Sequence, residues 1–221
     1  MTQNKSSNQR DPFIEITHSD AFTSFKLLIG IDEAGRGPLA GPVVAAAVAV
    51  LDYSFKSKIA DSKTITAKQR EQAFLEIFEK GYVGIGIINE AVIDQVNILE
   101  ATYVAMATAV RQLLTKIPGE MLSEIDAPQK ICMLVDGNRF KSDLPYVCKT
   151  IVGGDRKSFS IACASIIAKV TRDRILATYD KVFPQYGFKK HKGYPTAEHR
   201  KAIKTFGPSL IHRKSFQMQT V

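Results

Sequence analysis

Three short apolar runs in this chain each end at acidic residues. The runs are LLIGIDE, ICMLVD and TIVGGD, and their ends are Asp32 with Glu33, Asp136, and Asp155. Continuous apolar runs of this length are typical of strands buried on both faces of a sheet. Because ligands bind beyond the strand ends of open α/β sheets, we expect these acids to lie close together. The pattern therefore predicts a sheet with an acidic edge.

The remaining pattern predicts an α/β fold in which a mixed central sheet is flanked by helices. The predicted strands are 27–31, 43–51, 82–88, 131–135 and 147–152. Capping boxes predict two helices, one from Thr66-x-x-Gln69 to about Lys80 and one that begins at Asn97-x-x-Glu100. The second helix has a predicted buried stripe of Leu99, Tyr103, Met106, Val110, Leu113 and Ile117. A third, long helix has apolar positions at Phe159, Ala162, Cys163, Ile166, Ile167 and Val170.

The length of 221 residues suits one main domain. We divide the chain into a flexible N-terminal lead-in (1–22), a catalytic domain (23–182) and a basic C-terminal helical segment with a tail (183–221). No apolar run approaches the roughly 20 residues of a membrane span, and the N-terminus lacks the apolar stretch of a secretory signal. We therefore expect a cytoplasmic protein with no membrane partner. Because no coiled-coil heptad is apparent, we expect a monomer.

The charge is concentrated in the C-terminal part of the chain. The net charge is +8, and residues 137–221 hold 17 of the 30 Lys and Arg residues but only 5 of the 22 Asp and Glu residues. Lysines 189, 190 and 192, with His191, alternate with the aromatic residues Tyr186, Phe188 and Tyr194. This mixture predicts contact with a phosphate backbone, with rings available to stack on sugars or bases. A solvated surface that only keeps the protein soluble is the alternative.

Carboxylates that share one edge repel one another and resist ionisation unless cations are present. Mg²⁺ suits such a set because it binds a few carboxylates and leaves positions for water and phosphate oxygens. Two such ions about 3.5–4 Å apart could hold a scissile phosphate. Two of the acids also have a simpler interpretation: Asp155 could be a helix N-cap, and Asp136 could be a turn residue. Asp32 and Glu33 are harder to explain in this way, because they end a buried strand with no basic neighbour before Arg36.

The turn Gly35-Arg36-Gly37 follows the first acid pair directly. Glycines allow the backbone to approach a ligand closely and to adopt positive φ. A backbone turn of this kind could test for a ribose 2′-hydroxyl, the group that distinguishes RNA from DNA. The motif alone is more often a plain turn, and its position beside the acids is what favours recognition.

The residues quoted above resemble the type 2 ribonucleases H, and among them the bacterial ribonuclease HII group. The matching segments are GIDEAGRGPLAGPVV (30–44), DSK (61–63), INEAVIDQVNILEAT (88–102), LVDGNR (134–139), GGDRKSFSIACASIIAKVTRD (153–173) and FPQYGFKKHKGYPT (183–196). The resemblance implies a ribonuclease H-like fold and an endonuclease that cleaves the RNA strand of RNA/DNA hybrids. It also implies cleavage at single ribonucleotides embedded in duplex DNA. We expect two-metal-ion hydrolysis that leaves 5′-phosphate and 3′-hydroxyl ends.

The resemblance assigns roles to individual residues. It implies that two Mg²⁺ or Mn²⁺ ions are held by Asp32, Glu33, Asp136 and Asp155. It implies substrate-binding roles for Gly35, Arg36, Gly37, Lys63 and Tyr194. In this scheme the backbone of the glycine turn contacts the 2′-hydroxyl, and the Tyr194 ring packs under the next deoxyribose. Two alternatives remain, in which Tyr194 is an amphipathic rim residue and Lys63 a solvated lysine.

The sequence departs from the family at Gly153, where many relatives have lysine. We expect this change to weaken a backbone contact and leave the chemistry intact. The competing interpretations are a related DNA nuclease or resolvase with the same acids, and a non-catalytic nucleic-acid binding module. We assign His191 to the basic surface.

Overall fold

A computed structural model describes residues 22–125 and 127–216. Five strands form one sheet in the order β3-β2-β1-β4-β5. They are β1 (Leu27–Ala34), β2 (Val43–Val50), β3 (Gly81–Ile88), β4 (Ile131–Asp136) and β5 (Val147–Ile151). Strand β2 is antiparallel to both β1 and β3, whereas β4 is parallel to both β1 and β5. The predicted mixed sheet is therefore confirmed.

Seven α-helices accompany the sheet in the described part of the chain. They are α1 (Ala67–Lys80), α2 (Glu90–Val96), α3 (Ile98–Leu114), α4 (Gly119–Glu124), α5 (Phe159–Val182), α6 (Phe188–His191) and α7 (Ala197–Phe206). The predicted capping box opens α1, because the Thr66 and Gln69 side chains exchange hydrogen bonds with each other's backbone N–H groups. Asn97 caps α3 by accepting hydrogen bonds from two N–H groups in its first turn. None of these helices is both long and apolar enough to cross a membrane.

The two long helices lie on opposite faces of the sheet. Ile29 and Ile31 of β1 pack in one core cluster with α3, whereas α5 packs with α1 and β2 in another. Because side chains alternate along a strand, Gly30 faces α5. A Cβ at Gly30 would lie 2.1 Å from the backbone carbon of Ser160, so α5 runs directly against β1. The same alternation directs Asp32 toward α5 and Glu33 toward α3.

The predicted buried stripe of α3 is partly wrong. Leu99 is 36% exposed and Tyr103 is partly buried, whereas Met106, Val110, Leu113 and Ile117 are buried as predicted. The helix also buries the small residues Ala101, Ala105 and Ala109 against the sheet. A Cβ at Gly86 of β3 would lie 1.9 Å from the carbonyl oxygen of Ala105, so the helix backbone approaches the strand too closely for large side chains. The apolar spacing predicted burial of bulky residues, but it missed the alanines that the close approach of the helix to the sheet requires.

The remaining helical predictions divide between confirmation and correction. All six predicted apolar positions of α5 are buried. In the C-terminal segment, Tyr186 and Phe188 stack on each other in a small core with Leu176 of α5. These two rings are 5% and 0% exposed, so the prediction that they stack on nucleic acid is wrong. The N-terminal lead-in lies outside the described residues up to residue 21, and Phe22 is buried against the sheet.

Candidate active site

The acids come from strand ends that lie side by side. Ile31 of β1 pairs with Val135 of β4, so Asp32 and Asp136 occupy the next positions on two adjacent parallel strands. Asp155 lies in a 3₁₀ turn, Gly154–Arg156, that follows β5. The N–H group of Gly154 donates a 2.7 Å hydrogen bond to Oδ1 of Asp136, which joins this turn to the end of β4. We call Asp32, Glu33, Asp136 and Asp155 the acidic edge.

Asp32 is the most deeply buried of these acids, at 6% exposed. Burial raises its pKa well above the ordinary value, and the negative charges of Glu33 and Asp136 raise the pKa further. A hydrogen bond from Ser165 of α5 opposes this rise in pKa. The Ser165 hydroxyl lies 2.9 Å from that of Ser62, so the DSK turn and α5 meet beside Asp32.

Glu33 points to the other face of the sheet, toward α3. Burial raises its pKa, whereas the guanidinium of Arg36, 3.3 Å from Oε1 of Glu33, lowers it. The two side chains line a cleft of about 270 Å³, whose other walls include Asp136 and Arg139.

Asp155 is 7% exposed. Burial raises its pKa, and the charges of Asp61 and Asp136 add to that rise, while Lys63 opposes it. The helix-cap interpretation of Asp155 is wrong, because α5 begins at Phe159 with Ser158 as its N-cap. Sequence reasoning missed Asp61, the first residue of the DSK motif, which adds a further carboxylate near Asp155.

The acidic edge suits a hard divalent cation by its chemistry. Within residues 22–125 and 127–216, no three Asp, Glu, His or Cys side chains are already arranged to enclose a metal ion. Every candidate ligand is nevertheless a carboxylate, the oxygen ligand that Mg²⁺ and Mn²⁺ prefer. Burial and mutual repulsion raise the pKa of Asp32 and that of Asp155, and a bound cation would reverse that effect. The residues therefore fit the predicted ions.

The glycine turn lies directly beside Tyr194. Gly35 has φ +102°, and a Cβ there would lie 2.1 Å from Nε of Arg172, so only glycine fits. Gly37 is exposed, and a Cβ there would meet a single neighbour, Cε1 of Tyr194 at 3.8 Å. The Tyr194 ring is 44% exposed. Lys63, at the exposed end of the DSK turn, is near enough to influence the pKa of both Glu33 and Asp155.

Sequence reasoning missed two buried arginines behind the glycine turn, which we call the arginine pair. Arg172 and Arg213 are 1% and 0% exposed. The Arg172 guanidinium donates hydrogen bonds of 2.9–3.0 Å to the carbonyl oxygens of residues 40, 42 and 192. That of Arg213 donates to the carbonyl oxygens of residues 35, 36 and 41. Burial lowers the pKa of Arg172 to about 10 and that of Arg213 to about 9, so both are charged at neutral pH.

Three histidines are also buried rather than part of a basic surface. His191 is 8% exposed, and the N–H group of Gly193 donates to its Nδ1, which leaves Nε2–H to donate to the carbonyl of Tyr186. Its assignment to the nucleic-acid surface is therefore wrong. His199 and His212 lie behind it, and their Nε2 atoms are 3.0 Å apart. No spacing in the sequence marks these residues as a cluster, since each stands alone in an ordinary helix or loop.

Comparison with known sequences gives one consistent family. The profile of the family "Ribonuclease HII" matches residues 29–219. A ribonuclease HII of Acetivibrio thermocellus is 50% identical over 193 residues, which are 87% of this chain and 70% of the relative. A ribonuclease HII of Chloroherpeton thalassium is 45% identical over 206 residues, covering 90% of this chain and 94% of the relative.

Solved structures with the same fold belong to related enzymes. The ribonuclease H2 of Pyrococcus horikoshii OT3 superposes with a TM-score of 0.65 at 24% identity, over 87% of this chain and 94% of that one. Bst-RNase HIII, solved in complex with Mn²⁺, superposes with a TM-score of 0.67 at 17% identity, over 89% of this chain and 68% of that one. These likenesses confirm the ribonuclease H-like fold.

Proposed function

The chain belongs to the ribonuclease HII family and is a ribonuclease H, an endoribonuclease acting on RNA/DNA hybrids, and we propose which of its residues perform the reaction. The observation that carries the proposal is the meeting of two features in one place. The acidic edge lies beside the glycine turn, since Glu33 of the edge contacts Arg36 of the turn at 3.3 Å. A scissile phosphate at the acids would therefore place its sugar at the turn.

The acidic edge is the proposed catalytic centre. Asp32, Glu33, Asp136 and Asp155 would hold two Mg²⁺ or Mn²⁺ ions, whose charge would help to ionise a water molecule and stabilise the leaving oxygen. The chain's own contribution is to hold these carboxylates in place. Ser165 orients Asp32 by a hydrogen bond, and the Gly154 N–H group orients Asp136. Because the attacking group is water, we expect 5′-phosphate and 3′-hydroxyl ends and no covalent enzyme intermediate.

The glycine turn and Tyr194 are the proposed recognition elements. Gly37 offers a backbone without a side chain, and Tyr194 offers an exposed ring beside it. Backbone groups at this position could bind the 2′-hydroxyl of one ribonucleotide, while the ring packs on the next sugar. Lys63 lies close to the acids and would contact the phosphate backbone. We therefore propose cleavage at single ribonucleotides in duplex DNA as well as in longer hybrids, by a cytoplasmic monomer.

The decisive experiment compares a DNA duplex that contains one ribonucleotide with its all-DNA twin. Each is incubated with and without Mg²⁺ or Mn²⁺, and the cut is mapped. We expect cleavage of the first duplex alone, dependent on the ion, with a 3′-hydroxyl at the new end. Cleavage of the all-DNA twin would instead identify a DNA nuclease, and a 2′,3′-cyclic phosphate would contradict attack by water.

A further inference from the structure

The two recognition elements, the glycine turn and Tyr194, belong to distant parts of the chain, so their relative position must be fixed by other residues. The Tyr194 ring lies where a Cβ on Gly37 would meet it at 3.8 Å, so the recognition surface consists of one turn and one half-exposed ring beside it. Behind both lies the segment 209–213, whose Ile211 carbonyl accepts a hydrogen bond from the N–H group of Gly41. Two adjacent side chains of this segment reach the two elements separately.

Arg213 fixes the orientation of the glycine turn. Its guanidinium donates hydrogen bonds to the carbonyl oxygens of Gly35 at 2.6 Å and Arg36 at 3.0 Å. In a trans peptide the N–H group points away from the carbonyl of the same peptide unit. Holding these two carbonyls inward therefore turns the N–H groups of Arg36 and Gly37 outward, where both residues are exposed. The turn thus presents hydrogen-bond donors to a substrate.

His212 reaches Tyr194 through one intermediate ring. The backbone N–H group of Ser209 donates to Nδ1 of His212 at 2.8 Å, so in the neutral ring the proton of His212 is on Nε2. Nε2–H then donates to Nε2 of His199 at 3.0 Å, which places the proton of His199 on Nδ1. Nδ1–H of His199 donates to the carbonyl oxygen of Tyr194 at 2.9 Å. Because a backbone amide can only donate, the direction of the whole chain is determined.

Both histidines are suited to this uncharged arrangement. His199 is 0% exposed and His212 is 2% exposed. Burial lowers the pKa of each to about 4, so both rings are neutral at physiological pH. The rings are also enclosed by aromatic contacts, with His191 stacked on His199 at a centroid distance of 4.3 Å. The chain of hydrogen bonds is therefore rigid as well as directional.

We propose that His212 and Arg213 are positioning residues for ribose recognition, holding Tyr194 and the glycine turn at a fixed separation although neither side chain reaches the substrate. The inference rests on the proposed roles of those two elements. Because the two residues are neighbours in the chain, a shift at one would displace the other. The preference for a ribonucleotide therefore depends on a segment outside the acidic edge.

The test measures the dissociation constants of the single-ribonucleotide duplex and its all-DNA twin, with divalent ions chelated so that the duplex stays intact. The ratio of the two constants is the ribose preference. In His212→Asn the amide oxygen can replace Nδ1 as acceptor, but the amide nitrogen cannot reach His199, whereas in His212→Gln the amide nitrogen replaces Nε2 as donor and can. We expect His212→Asn to reduce the ratio by about five- to tenfold, the effect of one misplaced hydrogen bond, and His212→Gln to restore it.

Arg213→Lys is the second variant, because a single ammonium nitrogen cannot occupy the separate positions from which Nη1 and Nη2 hold the two carbonyls of the turn. It should reduce the ratio similarly, while Leu210→Ala, an 87% exposed residue of the same segment, should leave it unchanged. All-DNA binding and the melting temperature are measured on each variant. A structural defect alone would weaken binding to both duplexes equally, or would leave Gln no better than Asn, and would overturn the inference.

The outcomes also separate this inference from the function on which it rests. If the wild-type protein binds both duplexes equally, ribose recognition itself fails. If the wild type prefers the ribonucleotide but His212→Asn and Arg213→Lys keep that preference, only the positioning role fails. Should His212→Asn fold too poorly to measure, His199→Gln, which loses the donor to Tyr194 while His212 remains, replaces it and must lower the ratio.

Discussion

Two regions of this protein bury charged groups, and they treat the charge in opposite ways. In the acidic edge, burial and neighbouring carboxylates raise the pKa of Asp32 and that of Asp155, and Lys63 and Arg156 only partly oppose the rise for Asp155. In the arginine pair, each guanidinium makes three hydrogen bonds to backbone carbonyls. The acidic edge is therefore electrostatically incomplete, whereas the arginine pair is complete in its hydrogen bonds, although burial lowers the pKa of both arginines.

This difference indicates that the acidic edge binds a ligand, whereas the arginine pair stabilises the structure around it. A buried charge without a partner lowers stability, so it persists where a ligand supplies the partner. A buried guanidinium whose three nitrogens all donate to carbonyls contributes order instead, because moving it would leave several carbonyls unpaired. Arg36, between the two regions, contacts the acidic edge through its side chain and the arginine pair through its carbonyl. The precise placement of the reaction relative to the ribose thus depends on both.

The largest effect should follow from neutralising the most buried acid. Asp32→Asn should reduce cleavage of the single-ribonucleotide duplex by at least about a thousandfold, about 4 kcal/mol in activation free energy, because the site loses one of its four proposed metal ligands. Duplex binding should remain, since it draws on the basic surface. Steady-state cleavage and a binding assay measure the two effects. Asp52→Asn, an exposed acid beside Ser54, is the matched control and should cleave normally.

The two regions differ in how well they could be predicted from the sequence. The acidic edge was predictable because Asp32 and Asp136 each end an apolar run, and strand ends converge in a sheet. The arginine pair was not predictable. Arg213 reads as one of several basic residues near the C-terminus, and nothing nearby shows that it serves the carbonyls of a turn at residues 35–36. A side chain that donates hydrogen bonds to backbone carbonyls far away in the sequence leaves no local pattern from which it could be recognised.

The fold shows the same division. The capping box at Thr66 and the apolar stripe of α5 are local patterns, and both are confirmed. The buried face of α3 was predicted only in part, because its buried alanines depend on the glycines of β3, which allow the helix backbone to approach. Sequence periodicity identified the helix but could not show which neighbour it would meet.

The second prediction tests whether the arginine pair is structurally complete. Arg172→Met should lower the free energy of unfolding by at least about 3 kcal/mol, because three buried carbonyls lose their donor at about 1–3 kcal/mol each. Denaturant unfolding measures the change. Arg174→Met, two residues away on the same helix and about half exposed, should cost less than about 1 kcal/mol. Equal losses in the two variants would mean that the carbonyls of Arg172 find other partners.

The third prediction tests whether the acidic edge is electrostatically incomplete. Mg²⁺ or Mn²⁺ should raise the melting temperature of the wild type, since an ion that binds only the folded state stabilises it by about 2.7 kcal/mol at a hundred times its dissociation constant. The double variant Asp32→Asn with Asp136→Asn should show little or no rise. Differential scanning calorimetry with and without chelator decides the matter. An undiminished rise in the double variant would place the bound ions elsewhere.

The smallest effect is a difference in the sign of the pH dependence, measured with divalent ions chelated. Burial lowers the pKa of His212 to about 4, below its ordinary 6.5, so the unfolded chain binds more protons and this residue's contribution to stability is lost as the pH falls from about 6.5 toward 4. Burial raises the pKa of Asp32, so its cost to stability instead grows as the pH rises through that value. Relative to the wild type, His212→Gln should therefore melt progressively higher as the pH falls below 6.5. The melting temperature of Asp32→Asn should rise relative to that of the wild type as the pH rises. If the melting temperatures of both variants, relative to the wild type, changed in the same direction with pH, the distinction between the two regions would be lost.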